Sequence, residues 1–154
     1  MKKKVLVTRK LLKENEEKLK ELFDVKLNIQ DELYTSEKIL ELSKDCDGIL
    51  SAITDQLNKD LIEKLSPTVK IIANFAVGFG NIDINAATKK NIVVTNTPEV
   101  LDDSTADISI LLLLGASRKV LEARRAAELQ NWKWSADFML GKQMSNKRLG
   151  ILGM

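Results

Sequence analysis

The chain has 154 residues, 44% hydrophobic and 30% charged, with one Cys and no His, a balance that suits a folded globular protein rather than a disordered one. Without histidine there is no Ser/His/Asp triad, Cys–His pair or His-based zinc site, and one Cys excludes an internal disulfide or a multi-cysteine metal cluster. The net charge of +2 divides evenly, with 16 basic and 15 acidic groups in residues 1–98 and 8 and 7 in residues 99–154. It forms neither the basic stripe of a nucleic-acid binder nor an acidic tail. Chemistry must come from carboxylates, Lys or Arg, backbone amides or a borrowed cofactor.

Along the chain, Lys2, Lys3 and Lys4 precede an apolar stretch (Val5, Leu6, Val7) that is too short for a signal peptide. Strand candidates start near Lys4 (KVLVT), Asp24 (DVKLNI), Asp47 (DGILSA), Val69 (VKIIANF) and Asn91 (NIVVTN), at steps of 20, 23, 22 and 22 residues. Each step is the size of one strand plus one helix. The intervening segments have helical spacing: Leu12, Leu19, Leu22 and Phe23 line the first, and Leu57, Leu61, Ile62 and Leu65 line the third. The second is short, Ser36 to Ser43, with Ile39, Leu40 and Leu42 apolar. The fourth starts at Asp83, a natural N-cap, and runs through Ala86 and Ala87 to Lys90. Alternating strand and helix predicts an α/β fold with an open parallel sheet covered on both faces.

After Val94 the pattern changes. Asn96-Thr97-Pro98-Glu99 reads as a turn, with Pro98 holding Thr97 extended. Asp102, Asp103 and Ser104 offer N-caps, Ser104 and Asp107 stand at capping-box spacing, and one long helix is predicted to about Gln130. Its first half contains Ile108 to Leu114, which is apolar nearly all round and therefore expected to be buried; it falls well short of the ~20 residues that cross a bilayer. A linker with Trp132 and Trp134 follows, and Lys147 to Met154 reads as a new strand entering a glycine turn. These readings predict a boundary near residues 96–101, a soluble cytoplasmic protein, and neither a nucleic-acid nor a membrane partner.

In open parallel sheets ligands bind beyond the carboxyl ends of the strands. There the third strand leads into Ser51-Ala52-Ile53-Thr54-Asp55 and the fourth into Ala76-Val77-Gly78-Phe79-Gly80-Asn81-Ile82-Asp83. Gly78 and Gly80 permit positive φ or a close backbone approach, and a carboxylate held by the Val77 and Gly78 amides fits a loop that opens a helix. On spacing alone, a tight strand-to-helix turn is the simpler account. Cys46 stands between Asp45 and Asp47, whose charge raises a thiol pKa, so it reads as structural or idle. Arg124-Arg125 reads as a solvated helix face, and Asp102-Asp103 as helix capping rather than a metal site. The two tryptophans read as packing residues.

The run Ile72-Ala73-Asn74-Phe75-Ala76-Val77-Gly78-Phe79-Gly80-Asn81-Ile82-Asp83 resembles the substrate loop of the NAD(P)-dependent D-2-hydroxyacid dehydrogenases, particularly glyoxylate and hydroxypyruvate reductases. The resemblance continues through Ala86-Ala87-Thr88, Asn91 to Pro98, Val100 to Asp107 and Leu149-Gly150-Ile151-Leu152-Gly153-Met154, covering residues 71–154 closely and the earlier strands loosely. It implies a flavodoxin-like substrate domain at 1–98, without its C-terminal return, and the start of a Rossmann dinucleotide domain at 99–154. It also implies that Val77 and Gly78 hold the substrate carboxylate, that Ala52 and Ile53 line the same pocket, and that Thr105, Gly153 and Met154 serve the NAD or NADP site. The partners implied are a small 2-keto or 2-hydroxy acid and, in the full-length form, a second copy. The family's Arg, Glu and His lie downstream of the glycine fingerprint, which residues 153–154 only begin.

Two functions are therefore in view. One is the N-terminal part of a reductase of small 2-keto acids, inactive by itself because hydride transfer needs a positioned proton donor. The other is a non-catalytic truncated paralogue that binds a carboxylate or dimerises through the long helix. A phosphoacceptor receiver domain would need an acidic cluster where Thr8, Arg9 and Lys10 stand, and is set aside.

Overall fold

The structure, a computed structural model, describes residues 1–130 and 132–152. The chain divides into two compact units, Met1–Val100 and Leu101–Met154.

The first unit holds five parallel strands in the order β2-β1-β3-β4-β5. The strands are β1 (Lys4–Val7), β2 (Asp24–Lys26), β3 (Gly48–Ala52), β4 (Ile71–Phe75) and β5 (Val93–Thr95). Between them run α1 (Lys13–Leu22), α2 (Ser36–Ser43), α3 (Lys59–Lys64) and α4 (Ile84–Lys89). The fold is α/β with an open parallel sheet, and its strand order is the flavodoxin-like one.

Parallel crossovers are right-handed, so the connection from β1 outward to β2 places α1 on one face, and the three running the other way place α2, α3 and α4 on the opposite face. That second layer carries the core. Ile39, Leu61, Ile62, Ala86 and Ala87 pack with Leu6, Ile49 and Ile72, and the expected Leu57 and Leu65 are buried with them. Each fully buried Leu or Ile contributes about 1.5–3 kcal/mol relative to exposure. Three side-chain caps start these helices: Thr35 accepts from the Lys38 N–H, Asn58 from Leu61 and Asp83 from Ala86. An isolated parallel bridge between Leu57 and Ile82 ties the start of α3 to the start of α4.

The expectation of cover on both faces needs correction. Within the first unit, among the described residues, α1 is the one helix on its face; Leu12 and Leu22 are exposed, Leu19 and Phe23 are half-buried, and no α1 residue is fully buried. In β4, Ile72 and Asn74 point into the core, whereas Ile71 and Phe75 on the other side are 39% and 60% exposed. The single crossover in that direction supplies one helix, which packs beside β2 at the sheet's edge.

The second unit contains α5 (Asp102–Ser117) and α6 (Val120–Leu129). The single long helix expected there is broken, because Arg118 donates back to Leu114 O and Lys119 takes a left-handed conformation (φ 54), a common way to end a helix. The chain returns to this break: Lys142 N–H donates to Ser117 O at 2.8 Å. Gly141 is needed there, since a Cβ would sit 2.7 Å from the same oxygen. No side chain of Asp102, Asp103 or Ser104 caps α5; its N-cap is Leu101, with both aspartates inside the first turn. Ile108 to Leu114, expected to be buried, are exposed or half-exposed. Residues 147–152 form no strand, since no strand of this unit among the described residues offers them a ladder. Among the described residues, no helix is long and apolar enough to cross a membrane.

Candidate functional site

At the carboxyl ends of β1, β3 and β4, five polar residues are buried: Thr8, Ser51, Asp55, Asn74 and Asn81. Such burial is tolerable only when the groups bond one another. Ser51 Oγ donates to Asn74 Oδ1 (3.0 Å), and Asn74 Nδ2 donates to Gly78 O (2.9 Å) and Asn81 Oδ1 (3.1 Å). Asn81 Nδ2 donates to the carbonyls of Ala52 (3.1 Å) and Asp55 (3.0 Å). Asp55 Oδ2 accepts from Thr8 Oγ1 (2.5 Å) and the Ala52 N–H (2.8 Å). Asp55 Oδ1 has no hydrogen-bond partner among the described residues. The two loops leaving β3 and β4 are thus laced together underneath by neutral amides and hydroxyls.

Above this lacing lie the residues singled out from the sequence. Val77 and Gly78 are exposed, and among the described residues neither backbone N–H has an acceptor. Their carbonyl neighbours are held: Thr97 N–H donates to Ala76 O (2.9 Å) and Asn96 Nδ2 to Val77 O (2.7 Å). Ala52 is half-buried and its amide is engaged by Asp55, so it offers a ligand no donor. Ile53 projects an exposed side chain from the adjoining turn. Positive φ is not what Gly78 and Gly80 provide. Both lie outside the left-handed region, and a Cβ on either would meet no atom within 4 Å. The space over these glycines is therefore open to an approaching group. A groove of about 580 Å³ along β5 and α4 is lined by Phe79 of this loop and by Asn96, which follows β5.

The charged groups stand at the rim and at the far end of the sheet. Arg9 Nε donates to Asp31 (2.8 Å) and its Nη1 to Thr54 Oγ1 (2.8 Å). That guanidinium and the Lys10 N–H hold the Asp31 carboxyl down to about 2. At the amino ends of β1 and β3 Lys3 pairs with Asp47 (2.7 Å) and Lys4 with Asp45 (2.7 Å), and Lys26, the last residue of β2, also pairs with Asp45. Hydrogen bonds from Lys26 and Lys4 push Asp45 well below the usual carboxylate range. Cys46 is buried; desolvation first, then Asp45 and Asp47, pushes its thiol up, as an inert cysteine requires.

In the second unit Thr105 sits exposed in the first turn of α5, its hydroxyl donating to Leu101 O (2.8 Å). Gly153 and Met154 lie outside the described residues. Arg124 pairs with Glu128 (2.7 Å) on an exposed face, and Trp132 stacks on Phe138 with ring centroids 5.9 Å apart.

A family model described as D-isomer specific 2-hydroxyacid dehydrogenase, catalytic domain, matches residues 5–146. The chain belongs to this family. A glyoxylate reductase of Korarchaeum cryptofilum is 42% identical over 157 residues, a match covering all of this chain and 47% of that protein. A solved structure from a Polaromonas species, described as a D-isomer specific 2-hydroxyacid dehydrogenase, NAD-binding, superposes with a TM-score of 0.87 at 31% identity, covering 97% of this chain and 47% of that one. An NADPH-dependent glyoxylate/hydroxypyruvate reductase from Sinorhizobium meliloti, solved with NADP and malonate, superposes with a TM-score of 0.72 at 30% identity, covering 86% and 40%. The chain spans about half the length of the curated relatives it matches. The 2-hydroxyacid dehydrogenases are NAD(P)-dependent, but the described residues of this chain assemble no pyrophosphate cradle: Thr105 already spends its proton on Leu101 O, and residues 147–152 form no strand ending in a glycine turn.

The functional residues that sequence reasoning missed are the supports. Asn74 was the legible one: it shares the buried register of β4 with Ile72, and an amide on an apolar face needs a partner. Asn96 carried no such signal, since an Asn before Thr-Pro reads only as a turn.

Proposed function

We propose that this chain is the N-terminal part of an oxidoreductase that reduces a small 2-keto acid, of the glyoxylate or hydroxypyruvate type, to the D-2-hydroxy acid with NAD(P)H. Residues 1–98 are the substrate domain and 99–154 the start of the dinucleotide domain. The observation that carries this reading is the pair of unpartnered amides at Val77 and Gly78, over open space at the carboxyl end of the sheet. Two adjacent free N–H donors suit one carboxylate of a small acid. The names of the relatives point to the same class of acid. The exposed Ile71, Phe75 and Val93 support a substrate domain that further polypeptide completes. Ile53 and Ala52 border the acid, and Thr105 lies on the cofactor side in the complete enzyme.

The chain alone, which has no histidine, is inactive in this reading, and the complete enzyme is a homodimer. The test joins binding to turnover. Oxalate added to the labelled chain should move the Val77 and Gly78 amide resonances together, and glyoxylate with NADH or NADPH should give no nicotinamide oxidation. Amides that ignore oxalate would overturn the carboxylate site, and turnover would overturn the assignment as an inactive part.

A second reading, a carboxylate-binding or dimerisation module without catalysis, is favoured by the exposed Ile108 to Leu114 face of α5. Sedimentation of the chain decides it: a stable dimer that binds oxalate supports the module, whereas a monomer or an aggregate counts against it.

A further inference from the structure

In a trans peptide the C=O and the following N–H point in opposite directions, and the described chain contains no cis peptide. The plane that carries the Val77 N–H also carries the Ala76 carbonyl, and the plane of the Gly78 N–H carries the Val77 carbonyl. Both carbonyls are gripped from behind by consecutive residues. Thr97 N–H donates to Ala76 O at 2.9 Å, and Asn96 Nδ2 donates to Val77 O at 2.7 Å. Fixing each carbonyl fixes where its partner N–H points, which is away from Asn96 and Thr97. The grip also polarises each peptide, making the free N–H a better donor.

Two further features locate the device. Pro98 disfavours a helical backbone at Thr97, which narrows the conformations open to that residue. Residues 96–100 also run directly into the second unit, which starts at Leu101. Asn74 grips the next carbonyl, Gly78 O, from the core side, so the loop is held from two directions.

We propose that Asn96 and Thr97 are the positioning residues of the amide pair. They aim Val77 and Gly78 N–H at an anion without touching it, and they tie that aim to the segment that joins the two units. The proposal rests on the carboxylate reading of the loop and adds its support and its point of control. A shift of residues 96–97 relative to β4 turns both donors at once.

The experiment measures N–H orientation and binding separately, on the full chain. Residual dipolar couplings of the Val77 and Gly78 N–H vectors are compared in wild type, Asn96→Ala and Thr97→Pro, first free and then with oxalate. Asn96 is half-buried at the surface, so its loss leaves the core intact. Asn96→Ala should collapse the Gly78 coupling and spare Val77, while Thr97→Pro should do the reverse. Each should weaken oxalate binding about three- to tenfold, the effect of one hydrogen bond, and Asn96→Gln should restore part of the loss. Unchanged couplings in both variants would overturn the proposal whatever binds. Collapsed couplings in a chain whose amides never answer oxalate would leave the clamp standing and defeat the carboxylate reading instead.

Discussion

The two ends of the same five-stranded sheet are built from different chemistry. Around the amino ends of β1 and β3, Lys3 and Lys4 meet Asp24, Asp45 and Asp47, and Lys26 reaches Asp45 from the last position of β2, all in partly exposed ion pairs. At the carboxyl ends, Ser51, Asn74 and Asn81 bond one another in the interior with neutral groups. Exposed pairs can exchange partners or turn to water, so each holds little in place. Buried amides have no such alternative, and every one fixes the atoms it faces. Precision therefore sits at the end where the free amides are, and tolerance at the other.

The contrast is sharpest at Asn81. Asn81→Leu leaves the Ala52 and Asp55 carbonyls without their side-chain donor and Asn74 Nδ2 without its side-chain acceptor; it should lower the unfolding free energy by about 3 kcal/mol in urea titration. Asp55→Asn is the informative neighbour. It keeps an acceptor for Thr8 and Ala52 and puts a donor where Oδ1 has no partner, so it should change stability by less than about 1 kcal/mol in either direction. A loss as large as that of Asn81→Leu would mean that the Asp55 charge itself is needed.

Acid next separates two kinds of contact within the carboxyl end, where Arg9 follows β1 and Asp31 follows β2. The Asp31 carboxyl is held down to about 2, below its unfolded value, so the Arg9 pair is intact above about pH 4 and its stabilisation is lost as pH falls towards 2. Carboxyl carbon shifts should place the Asp31 midpoint at about 2, with the Asn74 and Asn81 side-chain amide signals still in place at about pH 3. The smallest effect belongs to the amino end. Asp45→Asn should leave thermal unfolding nearly unchanged, and the residual difference should vanish in molar salt. A large, salt-independent loss there would erase the distinction between the two ends.

Much of this was legible in the sequence, and the rest was hidden for physical reasons. The strands appeared because short β-branched runs recur at the length of one strand and one helix, and Asp83 announced α4 because a carboxylate can cap only a helix start. The break at Lys119 was invisible, since nothing local forbids helix there; Gly141 and Lys142 meet the break from far along the chain. The bare face over β4 was hidden as well. Alternation says which residues share a side, not which side receives a helix, and Phe75 reads like any other strand aromatic. At the candidate site the free amides were readable from the loop, whereas Asn96 declares itself only through the carbonyl that it grips.

The bridge between Leu57 and Ile82 has a kinetic consequence. Leu57 N–H donates to Asn81 O (2.9 Å) and Asp83 N–H donates to Leu57 O (3.0 Å), so the loops after β3 and β4 share one frame before any ligand arrives. A frame assembled in advance leaves little ordering entropy to lose on binding. Association of the proposed small acids should then proceed at the rate of encounter, and those of different shape should differ in how long they stay rather than in how fast they enter.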